Sequence, residues 1–465
     1  MKEIRKYRHF FLVLFVFVCM SLNGCGEEQA EDETVLRIAN WEEYLDEGGW
    51  DEDETIELED GTEILGENNM AEEFETWYEE TYGEKVQVEY STFGTNEDLY
   101  NQMTLGDTFD LVCPSEYMIM KLMKEKKLEP FSEEFLDHEN PENYYVRGLS
   151  PYIRNVFDGL EIEGETLSQY GAGYMWGVMG IVYNPDVVSA EDVKHWSMLL
   201  NPKYEKQITM KDSIRDSYIV ALGILQEKEM LSPAFRSAAD YKERLTAKLN
   251  DTSQATVDKV EDILDRMRGN AYSLETDSGK ADMVTGKVVA NMQWSGDGVY
   301  TMDQAEEDDL ELSYAVPEEC SNLWFDGFCM MKDGIGGDEK KKQAAEAFIN
   351  YISRPDNVVR NMYYVGYTSV IAGGDSDLVY QYADWCYGAE EEEEETAEYP
   401  LAYFFSDSED KKGKYTLEVP ADQITRQVCA QYPPEDVLRR SAVMQCFDDE
   451  ANKRISKMWI NIRCW

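Results

Sequence analysis

Residues 35–39, VLRIA, set β-branched and aliphatic side chains between an acidic stretch and a turn, a pattern that predicts a strand. Over 70–82 the apolar spacing changes to that of a helix, with Phe74, Trp77 and Tyr78 on one face. Residues 85–90 alternate as a half-buried strand. Residues 96–104 read as a second helix, and 109–113 as a more buried strand. This strand–helix alternation predicts a parallel sheet with helices on its faces. The rhythm returns at 180–183, 207–210, a helix over 217–229, and 288–292, so two α/β units of similar size are expected.

Two segments break the rhythm. Residues 47–69 are acidic and weakly apolar and read as an insertion. Residues 389–398 contain six consecutive glutamates, Glu390 to Glu395, and read as an exposed loop. Residues 373–425 as a whole read as an elaboration on the second half. At the N-terminus, Lys2, Arg5, Lys6 and Arg8 precede an apolar run over 10–20. That run is shorter than the roughly 20 residues a membrane span needs, and it fits a signal-peptide core. It ends in Leu22-Asn23-Gly24-Cys25, which resembles the lipobox of bacterial lipoproteins. The expectation is a signal peptide over 1–24, a lipid on Cys25, an acidic tether over 25–33, and a mature chain held outside the cytoplasmic membrane.

The charge narrows the partners. Ninety-five acidic against 43 basic side chains give a net −52, and −55 once residues 1–24 are removed. Such a chain repels polyanions, so nucleic acid is excluded as a partner. The bland reading of this charge is solubility; the functional one is attraction of small cations. With 43% hydrophobic and 12% aromatic residues, disorder is not expected. Besides the lipidated Cys25, seven cysteines would remain in the mature chain, with no CxxC among them. Cys113 and Cys329 read as buried thiols, and a Cys320–Cys329 bridge is conceivable. Only three histidines occur, and HExxH, GxSxG, Walker and GxGxxG motifs are missing. No catalytic residue, metal or cofactor is therefore expected.

What stands out is acid beside aromatic at loop positions next to strands. Asn40-Trp41-Glu42-Glu43-Tyr44 follows the first strand, and Pro114-Ser115-Glu116-Tyr117 the third. Trp294-Ser-Gly296-Asp297 follows a strand of the second unit, Trp324-Phe325-Asp326 precedes another, and Gly366-Tyr367 ends a helix. Ligands of open α/β sheets bind beyond the carboxyl ends of strands, so these groups are expected to converge. Any one of these rings reads equally as core. Together they match an organic cation, whose ammonium groups seek carboxylates and whose methylenes seek aromatic faces.

The stretches NWEEY (40–44), FDLVCPSEYMIMKLMKE (109–125), YMWGVMGIVYN (174–184), MKDSIRDSYIVAL (210–222), ANMQWSGDGVY (290–300), LWFDGF (323–328) and VGYTS (365–369) stand in an order that resembles the extracytoplasmic spermidine/putrescine-binding proteins of ABC transporters. The resemblance implies a two-lobed α/β fold of the periplasmic-binding type. Lobe one would comprise 34–176 and 324–372, and lobe two 177–323 and 373–465, with hinge crossovers near Trp176-Gly177 and Leu323-Trp324. It implies an aromatic wall of Trp41, Tyr44, Tyr117, Trp294 and Trp324 with Tyr367 nearby, and a polar contact from Ser115. Asp326 would bind the central ammonium, Asp216 would grip a terminal amine, and Gln445 would match a family glutamine. The family's other acid falls at Ser213, with Asp212 adjacent, so which of the two serves stays open. Glu42 stands where a threonine or serine is common; it either adds a carboxylate to the site or faces solvent. The implied function is capture of a polyamine by cleft closure and delivery, as a monomer, to an ABC permease. Two alternatives remain: a binding protein of the same fold for another amine, a thiamine-like cation or ferric ion, and an extracytoplasmic glycan enzyme using two carboxylates.

Overall fold

The computed structural model describes residues 34–51, 54–390, 395–408, 410 and 413–464. The expected signal peptide, Cys25 and the acidic tether lie outside these residues, as does most of the glutamate run. The elements that position the site are, in chain order, β1 (Thr34–Trp41), α1 (Met70–Tyr82), β2 (Val86–Phe93), α2 (Asn96–Leu105), β3 (Leu111–Val112), α3 (Glu116–Lys124), β4 (Ala172–Tyr183), β5 (Ile208–Lys211), α4 (Ile214–Met230), β6 (Ser273–Glu275), β7 (Ala290–Trp294), α5 (Ser295–Glu307), β8 (Ser321–Met331), α6 (Pro355–Val365) and α7 (Asp449–Cys464).

These strands form one mixed sheet in the order β6-β5-β7-β4-β8-β3-β1-β2. Pairing is parallel at its two ends, β1 with β2 and β3, and β5 with β6 and β7. In the middle, β4 and β8 run antiparallel to each other and to their outer neighbours. Every residue of β4 and β8 is buried, which accounts for the apolar run of β4 and the absence of alternation in either strand. Trp324 pairs directly with Gly177, so the two expected crossover points sit side by side. A side chain at Gly177 would collide there, because its Cβ would stand 2.2 Å from the Ser295 hydroxyl and 2.6 Å from the Trp324 ring.

Local chemistry sets the element ends. Asn69 caps α1 by accepting from the Ala71 amide, and Gly83 stops it at φ 70°. The core divides into two apolar clusters. The first gathers Leu36, Ile38, Phe74, Val112, Phe328 and Phe348; the second gathers Met179, Ile181, Met210, Leu222, Leu264 and Met292. Residues 373–465, expected to rejoin the second half, divide between the two. The buried aliphatic and aromatic side chains of 379–438 belong to the first cluster, and those of 444–462 to the second. The cause is aromatic: Phe404 stacks on Trp176 at 5.6 Å, and Tyr403 meets Tyr152 edge-on. The seven cysteines among the described residues are free thiols, and Cys320, just before β8, forms no bridge with Cys329 near its far end.

The loop after β1 is fixed by an ion pair. Arg360 on α6 reaches the buried Asp46 carboxylate at 2.7 and 2.9 Å and also holds Glu73. Asp46 in turn accepts from the Gly48 amide and the Trp50 indole. Removing one member of a buried pair strands the other charge, so Arg360→Met is expected to cost about 3–5 kcal/mol, read as a lower urea midpoint.

Candidate ligand-binding site

Asp326 lies at the centre. It sits where the β4–β8 register shifts, between Asp326 and Gly327, and such an irregularity re-aims side chains. Its carboxylate accepts from the Tyr44 hydroxyl at 2.9 Å and the Ser115 hydroxyl at 2.7 Å. Both donors are themselves held. The Tyr174 hydroxyl donates to the Tyr44 carbonyl, and the Asn96 side-chain amide donates to Ser115 and to the Tyr117 hydroxyl. Burial pushes Asp326 up to about 6; the two hydroxyls oppose the shift, and the nearby Asp216 charge adds to it.

Asp216 arrives from the other half of the sheet, in the first turn of α4. Burial raises its pKa, against the hydrogen bonding of Ser213 and Trp294 and the positive charges of Lys211 and Arg215. Neither Asp216 nor Asp326 has an ion-pair partner within 4 Å among the described residues. Aromatic rings gather beside Asp326. Tyr367 meets Tyr44 and Trp324 edge-on at 5.7 and 5.5 Å, and its hydroxyl donates to Asp297 on α5 at 2.7 Å. Gly296 permits that approach, since a Cβ there would lie 2.4 Å from the Tyr367 ring. The indole nitrogens of Trp41 and Trp324 are buried without a hydrogen-bond partner.

The remaining expected residues are placed differently from one another. Ser213 caps α4 through the Asp216 amide. Asp212 pairs with Arg463 of α7 at 3.0 Å, and its other oxygen is buried and unpartnered. Tyr117 stacks under the Arg215 guanidinium, which donates to the Gln445 backbone carbonyl at 2.6 Å. The Gln445 side chain is exposed, and so is that of Glu42. Trp41 packs on Phe93 at 4.8 Å.

The description "bacterial extracellular solute-binding protein" matches residues 69–381, more than half of the 465 residues. The chain belongs to this family. Among similar members, the spermidine/putrescine-binding periplasmic protein of Salmonella typhimurium is 24% identical over 336 residues, 72% of this chain and 76% of that protein. The putrescine-binding periplasmic protein PotF of Escherichia coli is 26% identical over 297 residues, 61% of this chain and 71% of that protein. Two solved structures share the fold. The spermidine/putrescine ABC transporter substrate-binding protein PotD of Streptococcus pneumoniae has a TM-score of 0.58 at 23% identity, covering 92% of this chain and 98% of its own. A putative spermidine/putrescine ABC transporter protein of Listeria monocytogenes has 0.60 at 22% identity, covering 93% and 99%.

In this solute-binding protein, Asn96, Lys211, Asp297 and Lys280 support the candidate site residues without having been expected there. Asp297 stood in the noted Trp294-Ser-Gly-Asp stretch, which was its signal. Lys211 gave none, because a lysine ending an apolar strand reads as a solvated end. Here its side chain is fully buried. None of the helices among the described residues is long and apolar enough to cross a membrane.

Proposed function

We propose that this chain captures polyamines of the spermidine/putrescine class in the space between Asp326 and Asp216 and delivers them to an ABC permease. The carrying observation is that pair. Two buried carboxylates come from opposite halves of the sheet, the Asp216 charge adds to the burden on Asp326, neither has an ion-pair partner among the described residues, and aromatic side chains adjoin each: Tyr44 and Tyr367 at Asp326, Trp294 at Asp216. An isolated buried charge is costly, and a ligand ammonium supplies the missing partner. Butane-diamine nitrogens lie about 6 Å apart when extended, so two acids can hold both ends. The names of the relatives agree with this ligand class.

In this reading the halves are two lobes, joined at the paired β4 and β8, that close on the ligand because it contacts both. The protein is a monomer, anchored by a lipid on Cys25 to the outer face of the cytoplasmic membrane, and no chemical step occurs on it. Titration calorimetry with spermidine and putrescine tests the reading. A dissociation constant in the micromolar range or tighter is expected, about −8 kcal/mol or better. No heat with either amine would sink it, and would turn attention to other organic cations.

The pH dependence follows from Asp326. Its pKa is raised above the unfolded value, so in the free protein its contribution to stability is present below about pH 4 and lost as pH rises through about 6. The ligand needs the ionised form. Amine affinity is therefore expected to fall by up to about tenfold between pH 7 and pH 5, with proton release on binding near pH 6. Calorimetry in buffers of different ionisation enthalpy measures both.

A further inference from the structure

Away from the amine site, three segments meet in the second half of the chain. The Trp196 indole donates to the Cys320 carbonyl at 2.8 Å, and the Glu318 amide donates to the Lys194 carbonyl at 2.8 Å. Residues 194–196 therefore lie along 318–320, just before β8. Helix α4 packs on both at Gly223, where a Cβ would stand 2.8 Å from the Cys320 sulfur and 2.9 Å from the Trp196 ring. Glu227 lies one turn further along the same face of α4. His195, Glu227 and Glu319 are thereby gathered, each with a donor atom within 4.8 Å of the others.

Glu319 is the decisive member. Its side chain is wholly buried. Oε1 faces His195 Nδ1 at 3.1 Å, whereas Oε2 is buried with no hydrogen-bond partner. Desolvation raises its pKa and the Glu227 charge adds to the rise, against its own backbone amide and His195. Among the described residues neither Glu227 nor Glu319 is paired with a lysine or arginine; the neighbouring Lys194 and Arg236 pair with Glu191 and Glu318. An ion pair of His195 with Glu319 alone leaves Oε2 unsatisfied and sets a second carboxylate beside the first. That arrangement costs free energy unless a cation joins it.

We propose that His195, Glu227 and Glu319 bind one divalent transition-metal ion of the Zn²⁺ class, with water completing its coordination. Zn²⁺ takes imidazole and carboxylate together, whereas Ca²⁺ and Mg²⁺ favour oxygen alone. Tetrahedral bonds of about 2.0–2.1 Å put ligand atoms roughly 3.3 Å apart, close to the 3.1 Å between His195 and Glu319. Rotation of the partly exposed Glu227 side chain supplies the remaining approach, and with His195 it leaves the ion a path from solvent. The low histidine count argues against a centre of several imidazoles, not against one with a single imidazole. The ion is structural: it ties α4, whose first turn carries Asp216, to the approach of β8, which carries Asp326. Nothing in it depends on which solute the protein carries.

Calorimetry and thermal melting of the untagged, chelator-stripped mature chain with Zn²⁺ alone test the site. One Zn²⁺ per chain is expected, with a dissociation constant of about 1 μM or tighter. Saturation is expected to raise Tm by about 3 °C or more, and about 1 mM Ca²⁺ to displace none of it. H195Q and E227Q, both at partly exposed positions, are expected to weaken Zn²⁺ binding at least about tenfold, with circular dichroism unchanged. Removal of residues 1–24 leaves His138 and His195, so imidazole NMR gives a readout that needs no variant at the site. Zn²⁺ is expected to shift one of the two histidine signals, the one that remains in H138Q. No uptake of Zn²⁺, a shift of neither signal or of His138 alone, or displacement by Ca²⁺ overturns the site. Folded variants with wild-type affinity do so too, and mark adventitious binding to the acidic surface. If neither variant folds, the NMR shift decides.

Discussion

Asp326→Asn is expected to weaken putrescine and spermidine binding by at least tenfold while leaving the free protein as stable as before, or more so, at pH 7. The two effects have one cause. In the free protein the ionised carboxylate is buried with two hydroxyl donors and no cation, so its charge works against folding above about pH 6. Asparagine keeps an oxygen for Tyr44 or Ser115 and removes that charge. With an amine bound, the same charge completes a desolvated, charge-assisted hydrogen bond worth about 1.5–3 kcal/mol. Calorimetry and thermal melting of the same preparation give the two numbers. Parallel loss of stability and affinity would mark Asp326 as a scaffold residue instead of a ligand contact.

Gly296→Val is expected to lower affinity by at least about tenfold by displacing the Tyr367 ring, without altering any acid proposed to contact the amine. A side chain at this position enters the Tyr367 ring, whose nearest atom would be 2.4 Å from the new Cβ. The ring cannot retreat freely, since Tyr44 and Trp324 lie against it and Asp297 holds its hydroxyl. The substitution therefore acts on the contact between the halves. If only the closed arrangement binds, affinity falls in proportion to its lost population. Small-angle scattering on the ligand-free variant should show a larger radius of gyration than the wild type. Unchanged affinity and unchanged scattering would mean that Tyr367 and α5 are not a closing contact.

Much of the scaffold is legible in the residues because it repeats simple periods. Helix α1 begins and ends where the spacing of Phe74, Trp77 and Tyr78 places it. The expected strand over 180–183 is the end of a longer one, β4, whose earlier residues are apolar on both faces and so carry no alternation. Asp326 and its neighbouring aromatics were legible as a motif. Their supports were not, because Asn96 acts through two hydroxyls that only the fold brings near it. Lys211 was illegible for a related reason: its partners Glu275 and Asp297 lie on other elements, and a lysine is normally solvated. The chain from 379 to 438 is rich in rings, which say that it packs but not on what.

That elaboration has a mechanical consequence. Its aromatics rest on Trp176, in β4 beside β8, while Arg426 and Gln427 grip Glu306 and Asp303 on α5, the helix that follows β7. A body joined at two adjacent strands swings freely, but one braced at a third point flexes. In the proposed lobe closure, any opening must strain or release that strut, which favours the shut shape over the open one.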